Sequence, residues 1–238
     1  MKKLINTKKI LAIIPARGGS KGIPNKNLSK IGNTTLLEKA IYDCKKVKRI
    51  NDIVVSTDSR KISEVSIKNK INVPFFRSKK NSTSKSSIID ALIETIAKSE
   101  EYYKKKYDVI ILIETTSPLR IFNDIDKSLD KFYKLNFDFL WTVSKINLDF
   151  HPLKQLKLKN NKIVFYDKKG LKIKRRQELN STYRRNGVCY VMNKKKFLNI
   201  KKLINDNTGF LLLDNYHISI DTKEELNGVR KIYNKKFK

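Results

Sequence analysis

Short apolar segments alternate with amphipathic segments through the first half of the chain, and this alternation constrains the fold more than any other feature. Residues 10–14, 53–57 and 109–113 are rich in branched apolar side chains, which is typical of strands buried on both faces. Residues 73–76 are predicted to form a further short strand. The segments between strands carry apolar residues every three or four positions, as amphipathic helices do. This order predicts an α/β fold with a doubly wound, mainly parallel, Rossmann-like sheet.

Two helix starts are marked by residues that can cap a first turn. Thr34 or Thr35 precedes an amphipathic run that begins at Leu36. Thr222 and Glu225 have the spacing of a capping box, and they predict the start of the last helix.

The second half of the chain has a different pattern. Residues 139–143 predict a strand, and residues 153–166 predict a hairpin that turns at Asn160-Asn161, because charged and apolar residues alternate on both sides. No repeat or linker divides the sequence. Residues 1–238 are therefore expected to form one domain with no second catalytic unit, and the hairpin lies in an insertion at about 144–175.

A glycine-rich loop follows the first predicted strand, at the end of a sheet where α/β proteins bind ligands. Residues 13–32 hold four of the eight glycines and two of the five prolines. Glycine lets main-chain N–H groups approach an anion closely, and nearby cations strengthen its binding. The loop fits neither the Walker pattern nor the dinucleotide fingerprint, so a third kind of phosphate loop is predicted. Its glycines and cations are Gly18, Gly19, Gly22, Arg17, Lys21 and Lys26.

The charge of the chain does not indicate a nucleic-acid-binding protein. The formal net charge is +30, but it comes from 43 lysines and only 10 arginines, and the lysines are scattered over predicted helices and turns. Aromatic residues interleaved with the charges, as in single-strand binders, are not evident. No nucleic-acid partner is expected.

The remaining composition predicts a cytoplasmic protein. No apolar run approaches the ~20 residues of a membrane span, so no membrane partner is expected. The amino-terminal residues lead into the first strand rather than into a cleavage site. Cys44 and Cys189 are expected to be buried thiols, and two histidines, His151 and His217, are too few for a histidine-rich metal site.

Seven short blocks follow one another over nearly the whole chain. They are ARGGSKGIPNKNL at 16–28, VSTD at 55–58, TSPLR at 116–120, HPLK at 151–154, RQEL at 176–179, NGVCY at 186–190 and SIDT at 219–222. Each resembles, in order, a block of the acylneuraminate cytidylyltransferase family, which makes CMP-sialic and CMP-nonulosonic acids. One block alone would be weak, whereas seven in sequence are specific.

The resemblance implies a nucleotidyltransferase that moves CMP from CTP to the anomeric hydroxyl of a nonulosonic sugar acid and releases pyrophosphate. Such a transfer depends on fixed cations and a metal ion that neutralise the triphosphate. By resemblance the catalytic residues are Arg17, Lys21 and Asp221. The nucleotide-binding residues are Ala16, Arg17, Gly18, Ser20, Lys21, Asn27 and Ser87.

Asp221 is the residue expected to hold Mg²⁺, the implied cofactor. The family usually has two aspartates in this block, whereas this chain has Ser219 in place of the first. A serine hydroxyl or water could take that place at lower affinity, because Mg²⁺ commonly keeps several waters. Asp221 could also be only a helix-entry residue.

The resemblance also assigns a set of sugar-binding residues. A guanidinium that faces the sugar carboxylate is the physically sensible use of Arg176 or Arg184. Glu114 stands where the family commonly has glutamine, and its negative charge should repel an acidic sugar unless Arg176 or Arg184 offsets it. The full set is Glu114, Thr116, Ser117, Lys154, Arg176, Gln177, Tyr183, Arg184, Asn186 and Phe210.

By analogy with the family, the insertion forms a homodimer and sends Lys154 into the neighbouring site. Two alternatives to the sialic or legionaminic class remain at this stage. One is activation of another keto sugar acid, such as the eight-carbon acid of lipopolysaccharide. The other is a nucleotide-binding homologue that Ser219 and Glu114 have weakened catalytically.

Overall fold

The computed structural model describes residues 8–20, 22–83, 86–215 and 217–236. Lys21, one of the predicted catalytic residues, lies outside them. The strands of the described chain are β1 (Ile10–Pro15), β2 (Lys30–Ile31), β3 (Thr34–Thr35), β4 (Asp52–Ser56), β5 (Val109–Leu112), β6 (Phe139–Lys145), β7 (Leu156–Lys159), β8 (Lys162–Phe165), β9 (Tyr183–Asn193) and β10 (Thr208–Leu212). The helices are α1 (Leu36–Lys46), α2 (Arg60–Lys68), α3 (Ile88–Tyr102), α4 (Phe122–Lys134), α5 (Lys194–Ile200) and α6 (Lys223–Lys236).

Six of these strands form the central sheet in the order β10-β6-β9-β5-β1-β4. Strand β1 pairs in parallel with β4 and β5, and β10 pairs in parallel with β6. Strand β9 is antiparallel to both of its neighbours. The predicted mainly parallel sheet is confirmed.

The core lies on both faces of the sheet, because alternate residues of the buried strands point to opposite sides. Ala12 and Ile14 of β1 join a cluster with residues of α1, α2 and α4, whereas Leu11 and Ile13 join a cluster with residues of α3 and α5. This is the doubly wound arrangement that the alternating pattern predicts.

The predicted helix caps are present. The Oγ1 of Thr35 accepts the N–H of Glu38, and the Glu38 carboxylate accepts the N–H of Thr35 at the start of α1. Thr222 and Glu225 form the same reciprocal pair before α6, at 3.2 and 2.8 Å. A third apolar cluster, which includes Ile23 of the glycine-rich loop, packs against α6.

The predicted strand at residues 73–76 is wrong, because this segment is irregular. Pro74 has no N–H to donate to a sheet ladder, so a strand here would lack one of its hydrogen bonds. Phe75 instead packs against the core cluster of α3, and the N–H of Arg77 donates to Thr57 O at 2.7 Å. The apolar pattern of residues 73–76 is therefore explained by burial of side chains, without a strand.

The predicted hairpin is confirmed as β7 and β8, within residues 146–182 that connect β6 to β9. Asn160 and Asn161 both have positive φ, at 49° and 59°, as a tight hairpin turn requires. Leu158 and Ile163 are cross-strand partners and are exposed at 83% and 67%.

No helix of the described residues is long and apolar enough to cross a bilayer.

Candidate active site

A cavity of about 510 Å³ opens at the carboxyl ends of β1 and β5. This is the edge of an α/β sheet where ligands bind. Seven of the predicted site residues line it: Arg17, Ser20, Asn27, Ser87, Glu114, Thr116 and Asp221.

The glycine-rich loop forms one wall, and hydrogen bonds to two other strand ends fix its path. Ala16 N donates to Ser56 O at 2.9 Å, and Gly18 N donates to Asp58 Oδ1 at 2.8 Å. Asn27 donates to Arg17 O at 2.8 Å and accepts from Thr115 Oγ1 at 2.6 Å, so its buried amide ties the loop to the end of β5.

Gly22 brings the loop close to the segment before α6. A Cβ at this position would lie 2.5 Å from the main-chain oxygen of Asp221, which no side chain could tolerate. The glycine therefore lets the glycine-rich loop and Asp221 share one cavity, although they are about 200 residues apart in sequence.

Two arginines contribute positive charge at the same end of the cavity. Arg17 donates to Thr83 O at 2.8 Å. Arg77 is buried and donates to Ser56 O at 2.7 Å, and its burial lowers its pKa from the usual value. Arg77 is not among the residues predicted from the sequence; the polar segment that follows it was the available signal.

Asp221 projects into the cavity and pairs with a cation. Its Oδ1 lies 2.8 Å from Lys26 Nζ, which also donates to Ile220 O at 2.9 Å. The Asp221 side chain is 73% exposed, and the main-chain N–H of Asp221 donates to Glu225 Oε2. Sequence reasoning noted the charge of Lys26 but missed this contact.

The cavity residues fit a magnesium ion that substrate phosphates help to hold. Among the described residues no group of three or more His, Cys, Asp or Glu side chains could hold a metal by themselves. Mg²⁺ is commonly bound by one or two carboxylates with phosphates and waters. Asp221 supplies one carboxylate, and Ser219 places its Oγ 3.3 Å from Thr116 Oγ1.

Glu114 lies in the cavity wall, and its carboxylate makes no hydrogen bond with any residue of the described chain. Burial raises its pKa, although Arg120 and Arg185 act in the opposite direction. A Cβ at Gly187 would lie 2.5 Å from Glu114 Oε2, so the carboxylate packs directly against this glycine. Gly187 has a φ of +69°.

Arg120 stands behind Glu114 and is fully buried. It donates to the main-chain oxygens of Glu114 and Val188, and its Nε lies 3.3 Å from Asp43 Oδ2. Lys39 also pairs with Asp43 at 2.6 Å. Arg120 and Lys39 thus share one buried carboxylate.

Four further predicted sugar residues lie at the start of β9 or contact it, outside the cavity lining. Ser117 Oγ donates to Asn186 O at 2.6 Å, and the Asn186 amide bonds with Thr142 and Ser144 between the strands. Arg184 donates to the main-chain oxygen of His217. Tyr183, at the start of β9, is half exposed.

The other four predicted sugar residues are not at the cavity of the same chain. Lys154 and Arg176 line a separate groove in the insertion, and Gln177 is exposed in a short 3₁₀ helix beside it. Lys154 pairs there with Asp149 at 2.9 Å. Phe210 is on the edge strand β10, where Lys131 lies over its ring at 4.5 Å.

Comparisons with known proteins agree with the fold and the motifs. The family model described as cytidylyltransferase matches residues 11–234. A solved structure of CMP:2-keto-3-deoxy-manno-octonic acid synthetase complexed with CTP has a TM-score of 0.73 and 16% identity, with 96% of this chain and 100% of that chain covered.

Three curated relatives cover most of the chain. "Post-translational flagellin modification protein B" of Campylobacter coli is 30% identical, over 86% of both chains. "CMP-N,N'-diacetyllegionaminic acid synthase" of Legionella pneumophila is 30% identical, over 90% of both chains. "Pseudaminic acid cytidylyltransferase" of Campylobacter jejuni is 28% identical, over 94% of this chain and 96% of that one. The resemblance that the seven blocks predict is confirmed, and the chain belongs to the cytidylyltransferase family.

Proposed function

We propose that the protein transfers CMP from CTP to the anomeric hydroxyl of a nonulosonic sugar acid, of the sialic or legionaminic type, and releases pyrophosphate. The family and the names of its relatives support this reaction. The structural observation that carries the proposal is that the glycine-rich loop, Arg17 and Asp221 meet in one cavity. The anomeric oxygen bonds to the α-phosphorus, the bond from that phosphorus to the pyrophosphate oxygen breaks, and the hydroxyl proton leaves.

The loop end of the cavity is the proposed triphosphate site. Arg17 and Lys21 neutralise the phosphates, and Ala16, Gly18, Ser20 and Asn27 keep the loop in its binding shape. Ser87 caps α3, whose N-terminus opens on the cavity and adds partial positive charge.

Asp221 is the proposed magnesium ligand at the other side of the loop. A magnesium ion bound there supplies positive charge to the phosphate oxygens and to the leaving pyrophosphate. Lys26 keeps the Asp221 carboxylate beside the loop at 2.8 Å.

A homodimer and a cytoplasmic location belong to the same proposal. The hairpin of β7 and β8 exposes Leu156, Leu158, Ile163 and Tyr166, more apolar surface than a free hairpin needs. In the proposed dimer a second copy covers this surface, and Lys154 of each insertion reaches the site of the other copy, as the family resemblance implies. Both cysteines are buried free thiols, in keeping with a reducing compartment.

Replacing Leu158 by lysine should convert a dimer into a monomer without lowering the melting temperature of the monomer. Leu158 is 83% exposed in the single chain, so its loss leaves no cavity, whereas a lysine in a covered apolar interface is strongly unfavourable. Sedimentation equilibrium measures the mass. Leu135→Lys, at a half-exposed site at the end of α4, is the matched control. An unchanged dimer mass in Leu158→Lys would show that the hairpin is not the interface.

The proposed reaction is tested by pyrophosphate release from CTP and Mg²⁺ with N-acetylneuraminic, diacetyllegionaminic, pseudaminic and eight-carbon keto-deoxy acids. We expect release with at least one nine-carbon acid, with the CMP-sugar formed in equal amount. Pyrophosphate release with the eight-carbon acid alone would show that the substrate is an eight-carbon keto-deoxy acid and not a nonulosonic acid. Binding of CTP without release in any mixture would contradict the proposed enzyme and favour a non-catalytic nucleotide-binding role.

A further inference from the structure

Arg185 lies on β9, two residues before Gly187, the glycine against which the Glu114 carboxylate packs. No residue of the described chain accepts a hydrogen bond from Arg185 or forms an ion pair with it. Its guanidinium carbon lies 5.1 Å from the centroid of the Trp141 ring, an arrangement that holds the planar group in place while its N–H donors stay available. Trp141 is itself fixed, because its indole N–H donates to Leu203 O at 2.9 Å.

Tyr190 connects this stack to Gly187 and Glu114. Its ring meets Trp141 edge-on at 5.9 Å between centroids. Burial and the Glu114 charge raise the pKa of Tyr190, whereas Arg185 and the backbone of Gly187 lower it. The carboxylate of Glu114 and the guanidinium of Arg185 therefore act on the same buried ring.

A sugar acid that enters this region meets an electrostatic obstacle. Glu114 is a carboxylate without a hydrogen-bond donor from the described chain, and an ionised carboxylate can only accept. Arg120 is fully buried beside Asp43 and does not line the cavity, so it cannot contact an incoming anion. Arg184 is directed to His217 O, and Arg176 lies in the insertion groove. Arg120 lowers the pKa of Glu114 from behind, but none of these three arginines lines the cavity where an anion would enter.

We propose that Arg185 is a specificity-determining residue that binds the carboxylate of the sugar acid and offsets the negative charge of Glu114. Glu114 then accepts an O–H or N–H of the same sugar. The substrate class is accordingly a sugar acid with a carboxylate and a hydrogen-bond donor within reach of this pair. The inference rests on the proposed function and deepens it. The sequence suggested Arg176 and Arg184, and not Arg185, as the arginine that faces the sugar carboxylate.

The test is a double-mutant cycle of Arg185→Met and Glu114→Gln, with the nine-carbon acid that the wild type uses best. Methionine keeps an unbranched chain over Trp141 but removes the charge. We expect Arg185→Met to raise the KM for the sugar acid about tenfold or more, with the KM for CTP within about twofold. Glu114→Gln in the Arg185→Met background should recover several-fold of that loss, because no uncompensated carboxylate then faces the substrate.

The primary amide of the same sugar acid provides the ligand-side control. Wild type and Arg185→Met should bind this neutral competitor equally well, and only the acid should distinguish them. Lys46→Met is the matched control on the protein side, because Lys46 is also a cation over an aromatic ring, 5.2 Å from the centroid of Tyr42. We expect this variant to leave both KM values unchanged.

The outcomes separate this inference from the reaction itself. An inactive wild type would defeat the proposed function. An active wild type whose sugar KM is unaffected by Arg185→Met would overturn the role of Arg185 alone. Two other results would overturn it as well. One is an equal loss of affinity for the acid and for the amide. The other is additive changes in KM in the cycle together with a lowered melting temperature, because these indicate that Arg185 only packs on Trp141.

Discussion

Asp221→Asn should lower kcat by about 10²–10³-fold and leave the melting temperature within about 2 °C of the wild type. A magnesium ion held on the transferring phosphates stabilises the transition state by several kcal/mol, and about 1.4 kcal/mol corresponds to a factor of ten in rate. The substitution removes the charge that would hold this ion but keeps the shape. An asparagine Oδ1 can still accept from Lys26 Nζ, which now lies 2.8 Å from the Asp221 oxygen.

The measurement is steady-state pyrophosphate release over a magnesium titration. Asp206→Asn, at an exposed aspartate outside the cavity lining, is the matched control and should behave like the wild type. A role in helix entry alone would appear differently, as a lower melting temperature with kcat nearly unchanged. That result would remove Asp221 from the proposed metal site.

Ser219→Asp extends the same experiment, because it adds a second carboxylate two residues before Asp221. We expect the magnesium concentration for half-maximal rate to fall several-fold, since the Ser219 side chain already faces Thr116 in the cavity wall. A large rise in kcat at saturating magnesium would instead show that the natural site is catalytically weakened by its serine.

The elements that the sequence predicts well are those whose evidence is local. Helix α1 has a periodic apolar face and a capping pair at Thr35 and Glu38, and both signals lie within a few residues. The turn at Asn160 and Asn161 is equally local, because these residue types tolerate positive φ. The strand predicted at residues 73–76 is absent because an apolar pattern is compatible with simple burial as well as with strand pairing. Pro74, which has no N–H to donate, disfavours pairing.

The parts of the site that the sequence could not predict depend on distant contacts. Strand β9 runs antiparallel to β5 and β6, and the periodicity of a sequence carries no information on strand direction. The burial of Arg120, which lies in a loop, requires Asp43 from α1, and the stacking of Arg185 requires Trp141 from the neighbouring strand. In a sequence this rich in basic residues, nothing local distinguishes an arginine that is buried or stacked from one exposed on the surface.

Arg17→Gln should lower kcat/KM for CTP by on the order of 10²-fold or more, which is the second large effect that the site predicts. Glutamine can replace the hydrogen bond that Arg17 donates to Thr83 O at 2.8 Å, but it cannot supply a charged fork to the phosphates. The loop should keep its path, because Asn27 and Asp58 hold the main-chain atoms of Arg17 and Gly18 independently of the Arg17 side chain.

Arg230→Gln is the matched control for that experiment. Arg230 also donates to a main-chain oxygen, Lys30 O at 2.9 Å, but it lies on α6 outside the cavity lining. Calorimetric titration with CTP separates binding from turnover: a phosphate contact made in the ground state weakens CTP binding, whereas one that strengthens in the transition state lowers kcat. If both constants of Arg17→Gln stay within about twofold of the wild type, Arg17 only shapes the loop, and the charge on the triphosphate must come from elsewhere.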